Sequence, residues 1–248
     1  MGKIIFEACV DSVNSAVIAG TAGADRIELC SALDIGGLTP SYGLIKVTIE
    51  RLTIPVNVLI RPRSGDFIYS REEFAVMKRD ILFCRDLNVN GIVVGILNAD
   101  GTIDKERISD LIDLARPMSL TFHRAFDFTS DPFKALDTLI ELEADRILTS
   151  GLQINAYSGI DMIKKLVDYA KERIIIIPGG GINENNVREI VAKTGVKEIH
   201  ASAREKLQSK TNYKIPNITL AGSGDDDQFP IKILSAVRVR KIIAAMEK

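Results

Sequence analysis

The stretches KIIFEAC (3–9) and DRIELC (25–30) decide how this chain is read. Each is an apolar run that closes on Glu, one intervening residue and Cys: Glu7 with Cys9, then Glu28 with Cys30. Side chains alternate faces along a strand, so the Glu and Cys of each pair point the same way. Between the two runs, Asp11-Ser12 offers a helix cap. Val13, Ala16, Val17 and Ala19 form an apolar stripe, and Gly20 and Gly23 a stop. Strand, helix, strand is the opening of a parallel sheet.

The same unit recurs outward to the end of the chain. Strands are predicted at PVNVLI (55–60), GIVVGIL (91–97), SLTFHRA (119–125), RILTS (146–150), RIIII (173–177) and KEIHAS (197–202). Helical patterns fall near 43–51, 71–87, 104–115, 157–171 and 184–193, with one more opened by Asp131 as N-cap and Pro132 as N1. Phe74, Met77, Ile81 and Cys84 share one face of the longest helix. From 204 to 230 the pattern lapses into a long polar loop holding SGDDD (223–227), which reads as solvated, and a last helix is expected over about 231–246. Eight strand–helix units without a composition break predict a single domain over 1–248, a (β/α)8 TIM-type barrel; such barrels commonly run to roughly 250 residues. GADRIELCS (23–31) and EADRILTSG (143–151) echo each other on units two and six, as a half-barrel repeat requires, although Ala-Asp before a strand also suits an ordinary turn.

Composition removes several function classes. A hydrophobic fraction of 46% is ample for a large core, and a formal net charge of −1 leaves no basic footprint for nucleic acid. No apolar run approaches the ~20 residues of a membrane span. The N-terminus enters a strand at once, which argues against a secretory signal. Three unevenly spaced cysteines do not make a disulfide framework. A cytoplasmic protein without nucleic-acid or membrane partners is expected.

A parity test then separates the two faces of each strand. The outward face packs on helices and must be apolar, whereas polar residues near a strand's C-terminal end face the mouth of the barrel. Phe6, Ala8, Ile27, Leu29, Val58, Ile60, Leu120, Phe122, Ile199 and Ala201 take the outward parity. Glu7, Cys9, Glu28, Cys30, Asn57, Arg61, Thr121, His123, Ser150, His200 and Ser202 take the inward one. Both histidines of the chain therefore point inward. Buried carboxylates need partners or a task, and Arg61 is the evident counter-charge for Glu7 and Glu28.

Two chemistries compete for this mouth. Cys9 and Cys30 lie on neighbouring strands about 4.8 Å apart, a spacing that places two thiolates around one soft ion such as Cu(I); the bland reading is two small buried hydrophobes. Against this, Arg61 and Arg63 in RPRSGD (61–66), the glycines Gly179, Gly180 and Gly181 after strand seven, and Ser150 and Ser202 suit a small phosphorylated or carboxylated metabolite. Glu28 and His123 then serve as acid–base candidates, supported by Glu7 or His200. That is the outline of a lyase, isomerase or hydrolase. No organic cofactor is expected.

EACVDSVNSA, GADRIELCSALDIGGLTPSYGLI, IPVNVLIRPRSGDFIYS, LTFHRAFD and RILTSG, in that order over most of 4–151, resemble the CutC copper homeostasis family. Beyond 151 the likeness is looser. The resemblance implies a (β/α)8 barrel, a cytoplasmic location, a homo-oligomer and copper binding through the cysteines at Cys9 and Cys30.

Overall fold

A computed structural model describes residues 2–213 and 230–246. Eight parallel strands form the barrel: β1 (Ile5–Val10), β2 (Arg26–Leu29), β3 (Val56–Leu59), β4 (Gly91–Val94), β5 (Ser119–Phe122), β6 (Arg146–Thr149), β7 (Ile175–Pro178) and β8 (Glu198–Ala201). Each pairs with its sequence neighbour, β8 pairs with β1, and β7 packs beside β8 to complete the ring. The outer helices are α1 (Val13–Ala22), α2 (Tyr42–Arg51), α3 (Arg71–Asp86), α4 (Lys105–Ala115), α5 (Pro132–Glu141), α6 (Ile160–Ala170) and α7 (Val187–Thr194), closed by α8 (Ala236–Met246). The TIM-type barrel expected from the sequence is the fold observed.

Local chemistry sets the boundaries. Ser12 caps α1 through the Ser15 N–H at 3.2 Å, and Gly23 ends it in the left-handed conformation. Ser70 and Glu73 form a reciprocal capping box on α3, and Asp131 caps α5 ahead of Pro132. The residues of outward parity all join one apolar layer between strands and helices. A second, smaller cluster fills the barrel itself: Cys9, Cys30, Leu59 and Val93, with Leu33 against them.

One region departs from the sequence reading. Arg204–Leu207, at the start of the expected polar loop, is a strand (β9). It pairs antiparallel with β10 (Ile231–Leu234), where the sequence predicts the first turn of the last helix. Ile231, Ile233 and Leu234 suit a strand by their β-branching and apolar spacing. The Leu234 N–H donates to Ser15 Oγ at 3.2 Å, and the helix begins only beyond Ser235. SGDDD (223–227) lies outside the described residues.

A close approach fixes the β6–α6 connection. A Cβ on Gly159 would lie 1.9 Å from the Ser150 carbonyl oxygen and 2.9 Å from Gly151 Cα. Backbone atoms cannot yield as a flexible side chain would. Gly159→Ala is expected to cost about 1–3 kcal/mol in urea unfolding; an unchanged midpoint would contradict this packing.

Candidate functional site

The floor of the barrel is a charged lattice assembled from inward positions of β1, β2, β3, β6 and β8. Register sets Glu7 opposite Arg26 on one side and His200 on the other, and Cys9 opposite Glu28. Arg26 donates to both Glu7 and Glu198. Arg146 reaches the same Glu198 at 3.2 Å, and Asn57 Nδ2 donates to Glu7 at 3.2 Å. The counter-charge of Glu7 is thus Arg26, not Arg61, and Glu28 has no arginine partner among the described residues, facing Cys9 and the His200 charge instead. Arg61 bridges loops instead, donating to the carbonyls of Ile35 at 3.1 Å, Gly37 at 3.0 Å and Gly65 at 2.9 Å. Arg26 and Glu198 obey the same alternation of faces as the inward residues that follow them. Two residues before Glu28 and His200, they share the same inward face.

Above this floor the site turns chemical. His200 Nδ1 and Glu7 Oε1 are 2.8 Å apart. Burial alone would raise the Glu7 carboxyl, but the His200 hydrogen bond and the Arg26 charge outweigh it and hold Glu7 down to about 2. Burial works against a charged His200, yet the Glu28 and Glu7 carboxylates push its pKa up. Glu28 is pushed up as well, chiefly by burial. Cys9 Sγ lies 3.5 Å from Glu28 Oε1. A hydrogen bond to the Cys30 thiol, then burial, push the Cys9 thiol well above its ordinary range. Cys30 itself faces the Val10 carbonyl at 3.5 Å. Ligand atoms of Cys9, Glu28 and His200 lie within 4.8 Å of one another, so the second thiol is beside this group rather than in it.

A cavity of 1090 Å³ opens from here to the C-terminal face of the barrel. Cys9, Glu28, Arg61, His123, His200 and Ser202 line it, as do Gly180 and Gly181, both in the left-handed region at φ +95° and +74°. The β9–β10 ribbon adds Arg204, Glu205, Lys206 and Lys232 to its wall, the first three from the expected loop and Lys232 from the expected last helix. Glu7 and Cys30 lie behind the lining. Gly179 also sits behind it, where a Cβ would come within 2.5 Å of Leu148 Cδ1 and displace that side chain.

Two expected anion-binding side chains are otherwise engaged. Arg63 is turned away, its guanidinium taken by Glu73 at 2.7 Å, Asp66 at 2.9 Å and the Ile68 carbonyl at 2.7 Å. Ser150 is held by Asp127, which accepts its N–H at 3.0 Å and its hydroxyl at 2.9 Å. Asp127 also pairs with Arg124 at 2.8 Å, so neither carboxylate oxygen orients His123. His123 instead accepts the Ala125 N–H on Nδ1 at 3.0 Å. An imidazole that accepts there keeps its proton on Nε2.

Comparison with known proteins agrees with this architecture. The profile of the CutC family matches residues 4–205. The copper homeostasis protein cutC homolog of Homo sapiens is 44% identical over 240 residues, 97% of this chain and 88% of that protein. A CutC family protein of Parabacteroides distasonis is 49% identical over 229 residues, 92% of this chain and 94% of its own length. The crystal structure of CutC from Streptococcus agalactiae is 39% identical and superposes with a TM-score of 0.76, covering 80% of this chain and 98% of that one. The barrel, its register and these matches together make the chain a member of the CutC family.

Proposed function

We propose that this protein serves copper homeostasis in the cytoplasm by binding Cu(I) at the base of the cavity, through Cys9 and His200. The observation that carries the reading is the juxtaposition of Cys9, Glu28 and His200 ligand atoms within 4.8 Å, all three residues buried. Thiolate and imidazole are the soft and borderline donors that suit Cu(I). Glu7 occupies His200 Nδ1, which leaves Nε2 as the ligating nitrogen and supplies the carboxylate–histidine pairing common behind metal ligands. Glu28 Oε2, buried without a protein partner among the described residues, is available to the ion or its proton. The three cysteines are free thiols, as a reducing compartment keeps them. The human relative's name associates that protein with copper, and the homo-oligomer implied by family resemblance belongs to the same proposal.

The Cys9 thiol must lose its proton to ligate, so copper affinity is expected to rise with pH. Cu(I) titration of the reduced protein against a competing chelator tests the site. Cys9→Ser is expected to weaken binding by at least about 100-fold, and Cys30→Ser, which alters only the neighbour of the ligand, by about tenfold or less. If Cys9→Ser, alone or combined with Cys30→Ser, binds as tightly as wild type, the assignment is wrong.

A further inference from the structure

Three of the buried polar atoms without a protein partner among the described residues belong to residues lining one cavity: Glu28 Oε2, Arg61 Nε and His123 Nε2. Each such atom costs about 1–3 kcal/mol while it stays unpaired. Unmet donors and acceptors carried by side chains that share one cavity are the signature of a ligand that completes them.

His123 defines what that ligand must offer. Burial first, and the Arg61 charge second, hold its pKa down to about 3, so the ring is neutral and presents an Nε2–H donor. The ring is also fixed. A Cβ on Gly95 would come within 2.4 Å of its Cε1 and 2.5 Å of Nδ1, and the Phe67 ring tilts against it with centroids 5.0 Å apart. A neutral, immobile N–H donor fits a carbonyl oxygen, which it polarises without giving up its proton.

Arg61 supplies the second requirement. It is 6% exposed, it donates to three backbone carbonyls and acts on the neighbouring Tyr69 hydroxyl, and it has no carboxylate partner among the described residues. Its guanidinium stands 5.3 Å over the Phe67 ring, beside His123. A buried cation without a counter-charge favours an anion next to it. Lys206 on the β9–β10 ribbon lines the same mouth and draws anions toward it.

We propose that the cavity binds a small organic anion bearing a carbonyl group, its charge compensating Arg61 and its carbonyl oxygen accepting from His123 Nε2. This site goes beyond copper binding: it rests on His123 and Arg61, and the cavity is far larger than one ion needs.

The test uses copper-free, chelator-treated full-length protein in calorimetric titrations with two matched pairs. Pyruvate is set against lactate, and dihydroxyacetone phosphate against glycerol 3-phosphate. One oxo compound is expected to bind saturably and about tenfold tighter than its hydroxy counterpart; which pair shows the preference distinguishes a carboxylate from a phosphate ligand. His123→Leu is expected to abolish the preference. His123→Gln, whose amide N–H can stand in for Nε2–H, is expected to keep it. Gly95→Ala displaces the ring without removing it and is expected to reduce the preference, which gives an answer even where the Leu variant fails to fold. Equal binding of oxo and hydroxy members, no saturable binding of any of the four, or an undiminished preference in both His123→Leu and Gly95→Ala overturns the proposal. None of these outcomes bears on the copper titration of Cys9→Ser.

Discussion

Replacing Arg26 by Leu is expected to cost about 3–5 kcal/mol of folding stability, the range for a buried ion pair that loses one partner. Arg26 is buried, and it donates at once to Glu7 and to Glu198, both buried as well. Without it, Glu7 keeps His200 and Asn57, and Glu198 keeps Arg146, but two desolvated carboxylates lose the guanidinium between them. Water cannot reach the floor to take its place, since Glu7 is only 1% exposed. Arg26→Lys preserves the charge but not the fork that spans two acceptors, and is expected to recover only part of the loss. Urea unfolding measures both. A Leu variant within about 1 kcal/mol of wild type would show that the lattice is electrostatically idle.

Acid is expected to erode stability through His123 by about 1.4 kcal/mol for each pH unit between about 6.5 and 3. In the unfolded chain this histidine takes up a proton near its ordinary value of 6.5; in the fold, burial and Arg61 delay uptake until about 3. Across that window the unfolded state holds more protons, so stability rises with pH, and above the window the residue contributes no slope. His200 behaves oppositely. Its pKa is raised, so its contribution is complete below 6.5 and is lost only as pH climbs through the folded value. His123→Gln removes the first slope and leaves the second. From about pH 7 to 4 the unfolding free energy of wild type should therefore fall relative to that of His123→Gln. Parallel curves would mean that His123 titrates alike in the folded and unfolded chain.

The barrel was legible because its signals are local. Each strand needs only an apolar outward parity, each helix a cap and a stripe, and Ser12, Ser70 and Asp131 do what their residue types dictate. The inward polar set at the mouth was legible for the same reason. What the sequence hid depends on partners distant along the chain. Arg61 looked like a counter-charge because it is inward and cationic, but its reach is decided by the 35–37 and 65 carbonyls, which no periodicity announces. Arg63 sits one turn of loop from Glu73, and that nearby carboxylate captured it. The β9–β10 ribbon pairs segments more than twenty residues apart, so neither strand declared itself alone.

The faint echo between GADRI and EADRI acquires a physical basis. Asp25 accepts the Phe6 N–H of β1 at 2.9 Å, and Asp145 accepts the Leu120 N–H of β5 at 2.7 Å, the same task four strands apart. The arginines that follow, Arg26 and Arg146, then converge on one glutamate, Glu198. This has a consequence for biosynthesis. Glu198 is translated long after both arginines, so until β8 leaves the ribosome Arg26 has only the Glu7 carboxylate and Arg146 lacks its Glu198 partner. The strand that completes the ring geometrically is also the one that brings the carboxylate shared by Arg26 and Arg146.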